Sequence, residues 1–145
     1  MGRRLIVLGV LCAACAVPTY SPGAGCRTAP PELLDLLAGD PVLTADVPGT
    51  EITTRHRSNP CDPGEETRGS VTVERALAAG TGWADVRARH ADLLAANGWT
   101  VATAEPLCAT RPASGRVVAF ELHPTSATLV EAAIRFWPFP RDTAC

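Results

Sequence analysis

Any chemistry in this chain has to come from six cysteines, three histidines, a Gly-Thr-Gly turn and a few crowded carboxylates. His56, His90 and His123 stand far apart, and none has the spacing of a metal pair such as His-Glu-x-x-His. His90 falls on an apolar helical stripe, which reads as a packed core residue. Gly80-Thr-Gly82, with Glu105 beyond it, imitates the opening of a dinucleotide-binding turn. However, Asp85 stands where close packing needs Gly or Ala, and Trp83 fills the turn. The plainer reading is a helix start with Thr81 as its cap. Asp62, Glu65 and Glu66 crowd one loop but supply too few oxygens for calcium. Ser114, in Pro112-Ala-Ser-Gly115, lacks the Gly-x-Ser-x-Gly elbow of a hydrolase. The expectation is a protein without a catalytic motif, metal or cofactor.

One stretch suits recognition. Phe136-Trp137-Pro138-Phe139-Pro140 is the densest aromatic run in a chain with only 3 Phe, 3 Trp and 1 Tyr. If Phe136 faces the core, Trp137 faces outward and, with Phe139, forms a candidate partner surface for an envelope protein or a small-molecule ligand. The competing reading has these rings covering the sheet edge or lying under an N-terminal helix.

The beginning of the chain reads as an address. Met1 to Arg4 form a short basic segment, and Leu5 to Leu11 an apolar run far below the roughly 20 residues of a membrane-spanning helix. Small residues follow. Leu11-Cys12-Ala13-Ala14-Cys15 resembles the lipobox of bacterial lipoproteins, in which the last Cys is acylated and becomes the new N-terminus. The match holds at Ala13, Ala14 and Cys15 and departs at Cys12, where the family has an apolar residue. Cleavage after Ala16, giving a soluble secreted protein, and cleavage before Cys26 are the competing cuts. Lipidation at Cys15 leaves Cys26, Cys61, Cys108 and Cys145, an even set for an oxidising compartment, whereas a cut at Cys26 leaves three.

The 145 residues give room for one domain. All 13 basic residues are Arg, and the net charge of −2 excludes a polybasic surface for nucleic acid or anionic lipid. Without Arg3 and Arg4, 11 Arg face 15 Asp plus Glu, a net charge of −4. The expected organisation is a signal peptide over 1–14, a flexible tether over 15–29 and one α+β domain over 30–145. Residues 16–29 are rich in Pro, Gly, Ser and Thr without an apolar period.

Within the domain, Pro30-Pro31 opens a short helix that Gly39 closes. Residues 40–49 read as irregular. Strands are expected over 51–57, 70–77, 99–105, 116–123 and 128–137, with one main helix from Trp83 to Asn97-Gly98. For 128–137 helix remains the alternative; alternation of Val130, Ala132, Ile134 and Phe136 with Glu131, Ala133 and Arg135 favours strand. The fold class is then α+β, an antiparallel sheet of about five strands in the order β-β-α-β-β-β with the main helix on one face.

Pro41-Val42, Val47-Pro48-Gly49, Cys61, Leu94-Ala-Ala-Asn-Gly-Trp99 and Cys108-Ala-Thr-Arg111 together resemble a group of small exported lipoproteins from high-GC Gram-positive bacteria. The likeness runs from about Pro41 to Trp137, with His90 in place of that group's Tyr and Arg111 in place of its Lys. It implies the same order of elements and a Cys61–Cys108 bridge, which leaves Cys26 to Cys145; it implies no activity. On the residues alone, four cysteines permit three connectivities. The expected role is binding or structural, at the outer face of the cell membrane. The alternative is a small exported hydrolase whose site assembles only in three dimensions.

Overall fold

In a computed structural model, residues 27–61, 67–138 and 141–145 are described. Helix α1 (Pro31–Ala38) starts on proline, whose missing N–H costs nothing in a first turn, and turns Leu33 and Leu37 inward. The stretch expected to be irregular contains a single helical turn, α2 (Pro41–Thr44). Asp40 caps it, its Oδ1 accepting from the Val42 N–H at 3.0 Å, and both Val42 and Leu43 are fully buried.

Strands β1 (Thr50–Ser58) and β2 (Gly69–Leu77) form a hairpin, and helix α3 (Trp83–Ala96) follows. The cap of α3 is Gly82, not Thr81: the Asp85 carboxylate accepts from the Gly82 N–H and places negative charge at the helix start. At its exit Gly98 takes φ +74°, which lets the Trp99 N–H return to the Leu94 carbonyl at 3.0 Å. Strands β3 (Thr100–Ala104), β4 (Leu107–Ala113), β5 (Arg116–Pro124) and β6 (Leu129–Phe136) complete the chain.

The sheet is antiparallel throughout, in the order β1-β2-β6-β5-β4-β3. Helix α3 carries the chain to the far edge, and successive hairpins return until β6 closes against β2. Six strands stand where about five were expected. The additional one, β4, is disguised by Pro112, which sits past β3's last partner Thr110, where β4 has a neighbour on one side alone. Ser114 and Gly115, at φ 48° and 74°, form the two-residue turn from β4 to β5. The last segment is a strand, as its alternation indicates.

Register explains the core. Val73, Ala132, Leu122 and Leu107 lie in one row across four strands, and Val71, Ile134, Phe120 and Ala109 in the next. All face Leu33, Leu37, Val42, Leu43 and Leu94 of the helices. Each fully buried Leu, Ile or Phe here contributes about 1.5–3 kcal/mol. At the end of β6 the Phe136 ring lies over Gly69, where a Cβ would collide with it. Ala29, just before α1, is already buried, and its N–H reaches Asn59 Oδ1 at 3.1 Å.

One residue ties the two layers together. Asp40, buried, also pairs through Oδ2 with Nη2 of Arg111 on β4, whose guanidinium lies 4.7 Å from the Trp99 ring centre. The helices leave the second face of the sheet uncovered, and the C-terminal residues return to it in part. The Thr143 N–H bonds to the Val117 carbonyl at 2.9 Å, the Val117 N–H to Asp142 Oδ1 at 3.1 Å, and Cys145 then joins Cys108.

That bridge corrects the expected pairing of Cys61 with Cys108 and of Cys26 with Cys145. Cys61 follows β1, and three strands (β2, β6 and β5) separate β1 from the strand that carries Cys108. Cys108 instead alternates onto the uncovered face, where the returning C-terminus meets it. Cys61 is itself disulfide-bonded; Cys26 lies outside the described residues. Among the described residues no helix is long and apolar enough to cross a membrane.

Two outcomes are expected. Non-reducing peptide mapping yields a Cys108–Cys145 fragment, and replacing both residues by Ser lowers stability to urea by about 2–4 kcal/mol. Asp40→Ala, which strands the Arg111 charge and uncaps α2, costs about 3–5 kcal/mol in the same measurement.

Candidate functional site

Two polar regions lie outside the core. The first is a belt on the uncovered sheet face, where alternation turns Glu74, Glu131 and His123 into one cross-strand row. Arg135 donates from Nε to Glu121 Oε2 at 2.8 Å, and its Nη2 lies 4.0 Å from Glu131 Oε1. His123 Nε2 stands 3.4 Å from the same Glu131 oxygen. Thr53, at a bulge in β1, donates its hydroxyl to Glu74 Oε1 at 3.2 Å. The belt thus gathers two carboxylates, Glu121 and Glu131, around Arg135, with Glu74 and Glu131 as like charges directly opposite each other on adjacent strands. Among the described residues His123 has one polar partner, Glu131.

The second region is a recess of about 220 Å³ between α1 and the β1–β2 hairpin. Val71 and Val73 form its floor, Ala38 a wall, and Arg55, His56 and Arg57 its rim. Arg55 pairs across the ladder with Val73, and Arg57 with Val71, so both guanidinium stems lie over the apolar floor. Arg57 Nη1 meets Asp35 Oδ1 at 2.7 Å, whereas Arg55 has no ion-pair partner among the described residues.

A third arginine lies within electrostatic reach of Arg55. Arg75 is almost completely buried and without a contacting carboxylate; its Nη2 donates to the Leu43 and Ala45 carbonyls, both at 2.9 Å, and Nη1 to Thr50 Oγ1 at 3.3 Å. The carbonyl end of α2 therefore compensates the charge. Burial and then repulsion by Arg55 lower its proton affinity, against an opposing pull from Asp46.

His90 is fully buried, stacked at 6.1 Å from Phe120, with Nδ1 held 2.9 Å from the Val86 carbonyl. Burial pushes its pKa down to about 4, the Val86 carbonyl opposes that shift, and the Arg75 charge adds to it. His90 is therefore a neutral core residue, as its place on the apolar stripe indicates. The three histidines lie in three settings: the rim of the recess, the core and the uncovered belt.

Trp137 is half-buried. The Arg141 guanidinium lies 4.7 Å from its ring centre, and its carbonyl accepts from Nη1 of the buried Arg116. Phe139 lies outside the described residues, as do Cys15, Asp62, Glu65 and Glu66. Among the described residues no group of three His, Cys, Asp or Glu is arranged to hold a metal ion. No known protein family, curated protein or solved structure matches the chain.

Sequence reasoning passed over the arginines, the residues that organise every one of these regions. A signal was present for two of them: Arg55 and Arg57, two apart in an expected strand, must share a face.

The depressed pKa of His90 sets a pH dependence. Its folded value of about 4 lies below the unfolded value of 6.5, so the unfolded chain binds the proton first as pH falls. Stability is complete above about pH 6.5 and declines by about 3 kcal/mol as pH falls to about 4. Urea titrations between pH 7 and 4 test this, and His90→Gln removes that part of the slope.

Proposed function

We propose that this protein is exported, cleaved before Cys15 and held at the outer face of the cell membrane by a lipid on that residue, where its α+β domain acts by binding. The observation that carries the reading is the Cys108–Cys145 bridge within the folded domain, since such bridges persist in oxidising compartments. The basic segment, apolar run and Ala13-Ala14-Cys15 then provide the route and the attachment point. Residues 16–28 serve as the tether, since Ala29 already packs into the domain. Binding is favoured over hydrolysis because His90 is locked in the core and His123 is committed to Glu131. The half-buried Trp137, under Arg141, is a ready partner surface beside the end of β6.

Mass spectrometry of the mature protein is expected to find an N-terminal Cys15 carrying a diacylglycerol adduct. Cys15→Ser is expected to release the protein from the membrane fraction. An unmodified N-terminus at any other residue overturns the anchor and leaves a soluble exported protein.

A further inference from the structure

We propose that the recess between α1 and the β1–β2 hairpin is a binding site for a phosphate monoester that carries an apolar group. Charge gives the first reason. Arg55 and Arg57 line the recess, the buried Arg75 adds its charge within electrostatic reach of Arg55, and the carboxylate at the rim is Asp35, paired with Arg57. Arg55 is exposed and lacks an ion-pair partner among the described residues. Two arginines whose cross-strand partners are successive floor valines stand about 7 Å apart along one face of a strand. That spacing suits forked hydrogen bonding to the several oxygens of one phosphate, with Arg55 contributing its unpaired charge and Arg57 the donors that Asp35 leaves free.

The floor gives the second reason. Arginines that only guard a sheet edge need no apolar cavity beneath them. Here Ala38 and the Arg55 and Arg57 stems, lying over the almost fully buried Val71 and Val73, line a volume of about 220 Å³, enough for a short alkyl segment next to the charged rim. The ligand chemistry is therefore amphipathic, an oxyanion outside and hydrocarbon inside. It is available either from a free alkyl phosphate or from the headgroup of a lipid with a terminal phosphate. The site does not depend on how the protein is anchored, so it stands or falls separately from lipidation at Cys15.

The test uses the purified full chain with octyl phosphate, inorganic phosphate, and phosphatidylcholine vesicles with or without phosphatidic acid, read by calorimetry and by amide and guanidinium NMR. The expected result is saturable binding of octyl phosphate, with shifts centred on Ala38, Arg55, Arg57, Val71 and Val73. Arg55→Gln weakens it by about tenfold or more, and Arg87→Gln, a change of equal charge at the far edge beside Glu105, leaves it unaltered. Ala38→Phe, which fills the recess without removing charge, also abolishes it. Concurrent capture by phosphatidic acid vesicles assigns the lipid headgroup as source, and its absence assigns a free ligand. Failure to bind octyl phosphate, equal affinity in Arg55→Gln, or equal affinity for inorganic phosphate overturns the proposal.

Discussion

Asp40 is where the helical layer is fastened to the sheet. One carboxylate oxygen caps α2, and the other receives Arg111 from β4, whose guanidinium in turn lies on Trp99 at the exit of α3. Helix α1 ends at Ala38, two residues before Asp40, so a single buried anion joins three helices and a strand. A buried carboxylate is tolerated only when its oxygens are occupied, and here both are. The geometry is correspondingly restrictive: α2 must start at Asp40, and β4 must turn Arg111 toward the helices.

The same logic recurs at Arg75. A buried guanidinium without a carboxylate must find carbonyls, and the one-turn helix α2 ends with two that suit it. Helix α2 is too short to be stable alone. It exists because Asp40 satisfies its first N–H groups, Arg75 its last carbonyls, and Val42 and Leu43 bury fully between them. At Arg75 and Arg111 the planar fork reaches two carbonyls, or a carboxylate and a ring, from one pre-organised group.

The two sheet faces have separate characters. One is dry, filled by the rows through Phe120 and Leu122 under the helices; the other bears the Glu121–Arg135–Glu131–His123 belt and the C-terminal residues that Cys145 fastens to Cys108. Period-two alternation makes both faces from the same strands. The recess lies where the helical layer stops short of β1, leaving Val71 and Val73 to be covered by arginine stems in place of a helix.

Much of this was legible in the residues. Alternation in β2, β5 and β6, the Pro31 start of α1 and the Asn97-Gly98 exit of α3 are local signals, because period, proline and left-handed glycine act over a few residues. The place of His90 in the core followed from helical spacing in the same way. Strand β4 was hidden because Pro112 carries a local penalty that only its neighbours cancel. Helix α2 was hidden because its stability comes from Arg75 and Arg111, 30 or more residues away. The pairing of Cys108 depended on which strands lie between it and each other sulfur, a property of sheet order that no spacing encodes. The chain by itself determined its periodicities and the proline and glycine limits of α1 and α3. Tertiary structure alone decided which charges meet, because ion pairs, bridges and recesses form between segments that only the order of the strands brings together.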